Sequence, residues 1–158
     1  MVLSKENRDS LFRSGLELLE DWAFDKDWVV EFDYLGRDEM DPGTKIISVS
    51  TRQNLEKQLY TLLHECGHVL VQANKEVYVK KYPITAKMNC YAEVNRRLEK
   101  TKKYKVDVIS EEIDAWQRGK KLAERLGIYI DEEVYNKIRS DCIYSYIEWA
   151  TGAGNYGG

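Results

Sequence analysis

The segment from Arg52 to Asn74 contains no proline and repeats its apolar residues at helical spacing. Within it, LLHECGHVL (62–70) carries both histidines of the chain in the pattern H-E-x-x-H. At about 100° per residue, Leu55, Leu59, Leu62, Leu63, Cys66, Val69 and Leu70 gather in a sector nearly opposite His64. The predicted helix therefore buries one side and presents His64 and His68 on the other. Side chains four apart on a helix stand one above the other, about 5–6 Å apart at Cβ, which suits two imidazole nitrogens about 2.0–2.1 Å from one zinc ion. Glu65 projects about 100° round from His64, beside a metal without having to bind it. From there its carboxylate can take a proton from a water whose pKa the metal lowers towards 7, and pass it to a leaving amine.

A catalytic zinc usually takes three protein ligands and keeps a fourth position for water. With no further histidine in the chain, the third ligand must come from a carboxylate or a cysteine. Cys66 and Cys142 fall on apolar helix faces and read as core residues, while Cys90 is left undetermined. In SEEIDAWQRGKKLAERLG (110–127), Ala115, Trp116, Gly119, Ala123 and Leu126 fall within about 60° of Glu112 on the helical wheel. Asp114, Gln117, Arg118, Lys121, Glu124 and Arg125 fall opposite. Glu112 thus occupies the centre of the buried face, where a carboxylate without a partner or a metal is costly. Glu111 is its rival; about 80° from the middle of that face, it better suits a solvated position at the helix start. The expected site is Zn2+ on His64, His68 and Glu112, with Glu65 as general base.

The remaining elements frame that helix. Residues 5–22 read as a helix capped by Ser4, with Leu11, Leu16, Leu18, Leu19 and Trp22 as its apolar stripe. DWVVEFDYL (27–35) and KIISVS (45–50) read as strands, separated by a DPG turn at 41–43. EVYVKKYPI fits either a strand or a frayed continuation of the motif helix, and AEVNRRLEKTKKYK reads as a basic helix. Ser110 is expected to cap a helix ending at Gly127, placing Glu111 and Glu112 in its first turn. Asp131 caps a last helix running to about Ala150, with Val134, Ile138, Cys142, Tyr146 and Trp149 on one side, and TGAGNYGG (151–158) reads as a mobile tail. The expected architecture is α+β: a small antiparallel or mixed sheet packed against the motif helix, with additional C-terminal helices. It forms one domain over residues 1–150 with a basic insertion at 75–110.

Composition narrows the setting. No stretch approaches the roughly eighteen apolar residues of a membrane span, and the start MVLSKENRDS runs into charge, so a cytoplasmic protein is expected. Three cysteines with no C-x-x-C pair argue against a disulfide framework. The overall net charge of −3 hides an asymmetry, because residues 75–105 carry 10 basic and 3 acidic side chains between two acidic flanks. Such a patch suits nucleic acid or an acidic protein surface, against the plainer reading of a solvated lysine face.

The HECGH motif, with Glu112, Ile113, Asp114 and Ala115 as a downstream E-x-x-A, makes residues 44–126 resemble the zincins with two histidines and a glutamate, and most nearly the ImmA/IrrE-like metallopeptidases. The resemblance implies a zincin-like fold in which an edge strand leads into the motif helix, with zinc on His64, His68 and Glu112. Members occur in bacteria, phages and mobile elements, where several cleave or inactivate transcriptional repressors. Two departures stand out. That family commonly follows the alanine with Asn or Asp and then F-A, where this chain has Trp116 and then Arg118-Gly119, and the interval from His68 to Glu112 is longer. The SprT-like DNA-associated proteases share H-E-x-x-H but add a third histidine, which this chain lacks. The expected function is zinc-dependent hydrolysis of a peptide bond in a regulatory or nucleic-acid-associated protein. Its alternative is a non-catalytic module of the same fold that binds a protein or nucleic acid through residues 75–105.

Overall fold

The computed structural model describes residues 2–90 and 96–152. Among these, seven helices and one three-stranded mixed sheet make an α+β architecture. Helix α1 (Lys5–Asp25) starts where the Ser4 hydroxyl accepts the Asn7 amide, as its sequence predicts. Its buried face differs from the predicted stripe: Phe12, Leu16, Leu19 and Ala23 lie inside, while Leu11 and Leu18 are exposed. Positions 12, 16, 19 and 23 stay in one line along a 3.6-residue helix, and positions 11 and 18 lie about 100° off it.

Strands β1 (Val29–Asp33), β2 (Glu39–Asp41) and β3 (Ile46–Ser50) form a sheet in the order β1-β3-β2. β1 runs parallel to β3 with Val29 opposite Ile46, and β2 runs antiparallel to it with Met40 opposite Ile47. β2, a strand that the sequence pattern does not predict, turns into β3 through the expected DPG turn. There the Asp41 carboxylate accepts from the Gly43 amide at 2.9 Å and the Thr44 hydroxyl at 3.1 Å. Asp38 fastens the start of this excursion by accepting from the Ser50 amide at 2.7 Å and the Gln53 side chain at 2.9 Å.

Helix α2 (Leu55–Gln72), capped by Asn54, carries the motif across the middle of the molecule. Its Leu59, Leu62, Leu63 and Cys66 are fully buried with Ile47 and Val49 of β3 and with Leu16 and Leu19 of α1 in the main core. The sheet and α1 therefore occupy the apolar side of α2, leaving the histidine side for the C-terminal helices.

EVYVKKYPI is neither strand nor a continuation of α2. It forms α3 (Lys75–Lys81), capped by Asn74, and opens α4 (Pro83–Cys90) with proline at the first helical position. Tyr78, Tyr82 and Ala86 recur every four residues and form a second small core with Val71 and Ala115. The predicted basic helix at 92–105 lies partly outside the described residues. The described part contains α5 (Arg96–Glu99), a break, and then α6 (Lys102–Leu126) capped by Thr101. Helix α6 thus begins well before the predicted Ser110 cap, and Glu111 and Glu112 stand in mid-helix, out of reach of its N-terminal dipole. Its C-terminus falls where expected, on Gly127 in the left-handed region at φ 69°. Helix α7 (Glu132–Thr151) has the expected Asp131 cap and ends at Gly152, also left-handed, so the first residues of the predicted tail complete this helix. Residues 153–158 of that tail lie outside the described residues. No helix among the described residues is long and apolar enough to cross a membrane.

Candidate metal centre

The site depends on how closely α2 and α6 approach. They cross antiparallel, with Gly67 against the Ala115 carbonyl and Gly119 against that of Leu63. A methyl group on Gly119 would lie 2.5 Å from the Leu63 oxygen, and one on Gly67 would overlap the Ala115 oxygen outright. Two backbones in contact bring the buried face of α6 onto the histidine face of α2 without intervening side chains.

Glu112 is thereby delivered to both histidines. His64 Nε2 lies 2.7 Å from Glu112 Oε2, His68 Nε2 lies 3.1 Å from Glu112 Oε1, and the two Nε2 atoms are 3.1 Å apart. All three residues are buried. Their ligand atoms lie within 4.8 Å of one another, so His64, His68 and Glu112 form a group that could hold a metal ion. Donor atoms at about 2.0–2.1 Å from a tetrahedral ion stand roughly 3.3 Å apart. The two spacings of 3.1 Å are close to that figure, and the 2.7 Å between His64 and Glu112 is shorter, at hydrogen-bond distance. The donor set of two imidazoles and one carboxylate fits a divalent transition metal.

Glu111, the rival ligand, is turned to other work. Its Oε2 lies 2.7 Å from His68 Nδ1, on the far side of the ring from Glu112, and its Oε1 accepts the Tyr78 hydroxyl. Asn89 in turn donates to the Tyr78 oxygen at 3.0 Å. Glu65 lies in the same cleft, with Oε1 3.6 Å from His64 Nδ1. On the other flank Trp116 stacks on the His64 ring, 4.3 Å between centroids and 8° from parallel. Trp116 is itself held by the edge of Tyr135, whose hydroxyl donates to the Trp116 carbonyl at 2.5 Å.

Burial and neighbours set the charges of the group. Burial works to raise the Glu112 carboxyl, but bonds to His64 and His68 outweigh it and hold the pKa below its ordinary value. Burial likewise works to lower His68, and bonds to Glu111 and Glu112 lift it well above 6.5. For Glu65 burial prevails over the attraction of the two histidines and raises the carboxyl. These directions describe the protein without metal.

The centre lies in a cleft of about 830 Å³. Residues 38–43, including strand β2, form one wall; Ile138, Cys142 and Tyr146 of α7 form another. Tyr146 stands beside Glu112, and its phenol is raised first by burial and then by the Glu112 charge. Cys66 is a fully buried core residue, as expected, whereas half-buried Cys142 faces the cleft as well as the core, its thiol raised by burial to about 11.

The lysine-rich segment meets the centre from the side. Lys81 pairs with Asp114 at 2.8 Å and Lys103 with the buried Asp107 at 2.7 Å, and Asn89 reaches the cleft wall. The structure therefore gathers all four sequence-predicted residues, His64, Glu65, His68 and Glu112, places the rival Glu111 against His68 Nδ1, and adds Tyr78, Trp116 and Tyr146. Of the additions, Trp116 carried a signal, one turn beyond Glu112 on the same face. Tyr78 and Tyr146 carried none beyond being tyrosines. Comparison with protein-family models, with curated proteins and with solved structures finds no match to this chain.

Proposed function

We propose that this protein is a zinc-dependent endopeptidase whose metal is held by His64, His68 and Glu112. The observation that carries the reading is the convergence of two imidazoles and a carboxylate beside an independent buried carboxylate, Glu65, in an open cleft. Three protein ligands with room for water is the donor set of a catalytic zinc site and not of a closed structural one. Zinc bound there polarises a carbonyl and lowers the pKa of a water towards 7.

The chain supplies the rest. Glu65 accepts the proton of the attacking water and delivers it to the leaving amine; burial, by raising its pKa, brings it nearer to the working pH of a general base. Tyr146 donates its hydroxyl to the oxygen on which charge develops, a role suited to a phenol kept protonated beside Glu112. β2 is an edge strand on the cleft wall, so an extended peptide can pair with it and lie across the ligands. Trp116 fixes the plane of the His64 ring. The resemblance to repressor-directed metallopeptidases makes a regulatory protein the substrate class.

The test is Glu65→Gln, which preserves shape and removes the base. The variant is expected to bind zinc like the parent and to lose hydrolysis of a quenched-fluorescence peptide library. Undiminished hydrolysis would remove Glu65 from its role. A parent protein that binds no zinc, yet binds DNA with steep salt dependence, would favour the non-catalytic module instead.

A further inference from the structure

We propose that Tyr78 and Glu111 are positioning residues for His68, so that helix α3 of the lysine-rich segment forms an outer part of the metal centre. The inference rests on the reading of His64, His68 and Glu112 as metal ligands, and it assigns a task to a segment that reading leaves without one.

The Tyr78 hydroxyl donates to Glu111 Oε1, so the carboxylate serves as an acceptor, and its 2.7 Å contact with His68 Nδ1 places the ring proton on Nδ1. In the neutral ring that leaves the Nε2 lone pair, which points towards His64 Nε2 and Glu112 Oε1. Left alone, a buried Glu111 carboxylate would be costly. Its second oxygen is occupied by the Tyr78 hydroxyl, whose oxygen accepts from Asn89. Asn89, Tyr78, Glu111 and His68 thus form one connected network, in which each contact polarises the next. Metal-binding histidines commonly rely on such a carboxylate to fix tautomer and ring orientation. Here the carboxylate comes from the residue next to the ligand Glu112, and its anchor comes from α3, more than thirty residues earlier.

The same network explains why Glu111 is not the third ligand. Both of its oxygens are committed away from the point where the histidine nitrogens meet. Glu112, one residue further on and about 100° round the helix, faces that point.

The test compares Tyr78→Phe and Glu111→Gln with Tyr82→Phe. Tyr82 belongs to the same small core, but its hydroxyl serves Asp114 and the Ser110 carbonyl, away from His68. Zinc affinity is measured by chelator competition. Separately, the His68 tautomer is read from imidazole 15N shifts in metal-free protein, at a pH where the ring is neutral. Tyr78→Phe and Glu111→Gln are expected to weaken zinc binding by about ten- to a hundredfold, and Tyr82→Phe to leave it unchanged. Glu111→Gln is also expected to spread His68 over both tautomers. Zinc affinity and tautomer both unchanged in the first two variants would overturn the proposal, as would an equal loss in Tyr82→Phe. Failure of the parent to bind zinc would sink the metal reading, and the tautomer comparison would still decide whether Glu111 positions the ring.

Discussion

Gly67 in α2 rests directly against the carbonyl oxygen of Ala115 in α6, with no space for a β-carbon between them. Because that oxygen is backbone, it cannot swing aside like a flexible side chain. Gly67→Ala is therefore expected to force the two helices apart, costing about 1–3 kcal/mol or more, and to draw Glu112 away from the histidines. Urea unfolding and zinc titration should both respond. A variant with parental zinc affinity would show that the close crossing does not set the site.

Trp116 supports the centre from the opposite side by stacking on His64 and packing under Tyr135. Trp116→Ala is expected to cost about 3–5 kcal/mol, as large aromatic truncations do, and to weaken zinc binding as the His64 ring gains freedom. Trp116→Phe, which keeps a ring in the stack, should recover most of both losses. Equal zinc affinity in the parent and both variants would dismiss the stack as a positioning contact.

Tyr146 separates catalysis from metal binding. If its hydroxyl stabilises the developing oxyanion, Tyr146→Phe should lower kcat by about a hundred- to a thousandfold. KM should change little, and zinc affinity should change far less than kcat, because the phenol's main contribution comes as charge develops. Steady-state kinetics on a peptide substrate check this, and an unchanged kcat would send the oxyanion role elsewhere.

The metal-free protein should have its own stability profile with pH. Glu112 is depressed below 4.5, so its contribution is present above that value and is lost as pH falls from there. His68 is raised well above 6.5, so its contribution is complete below 6.5 and is lost as pH rises through the folded value. Glu65 is raised from 4.5, so its contribution is complete below that value and is lost as pH rises from there through its folded value. Together they place the greatest stability from this cluster just above about 4.5, with a decline led by Glu65 that His68 steepens above 6.5. Zinc, which needs deprotonated ligands, should reverse the alkaline loss. Urea midpoints across this range, with chelator and with zinc, measure both limbs. A metal-free midpoint that rises from pH 6.5 to 8 would contradict the assigned directions.

The motif and the carboxylate that meets it were legible because both depend on helical phase, which one short stretch reveals. His64 and His68 share a face, and Glu112 stands among Ala115, Trp116 and Gly119 in the middle of another. The length of α6 was not legible, because its first turns invert the usual pattern. Val106 is exposed and Asp107 is buried, where it accepts from the Ile84 amide at the start of α4 and from Lys103. A buried carboxylate that caps a distant helix looks, in sequence, like the polar side of a loop. Valines 77 and 79 likewise suggested a strand, yet both are exposed on α3, and the burial is carried by Tyr78 between them and Tyr82 one turn on. β2 has only three residues, too short for the alternation of Glu39, Met40 and Asp41 to stand out; it exists through pairing with β3, which sequence spacing does not encode. The role of Glu111 was hidden for a related reason, since Tyr78 reaches it only after α3 folds against α6.

The stack of Trp116 on His64 also gives the molecule an internal gauge. A protonated imidazole in contact with an indole quenches its fluorescence, and a neutral one does so far less. Of the four tryptophans, Trp116 is the one that lines the cleft. Its emission should therefore respond to what the His64 ring binds. A metal accepts only the neutral ring, so occupancy of the centre should register as light, without a label and without a substrate.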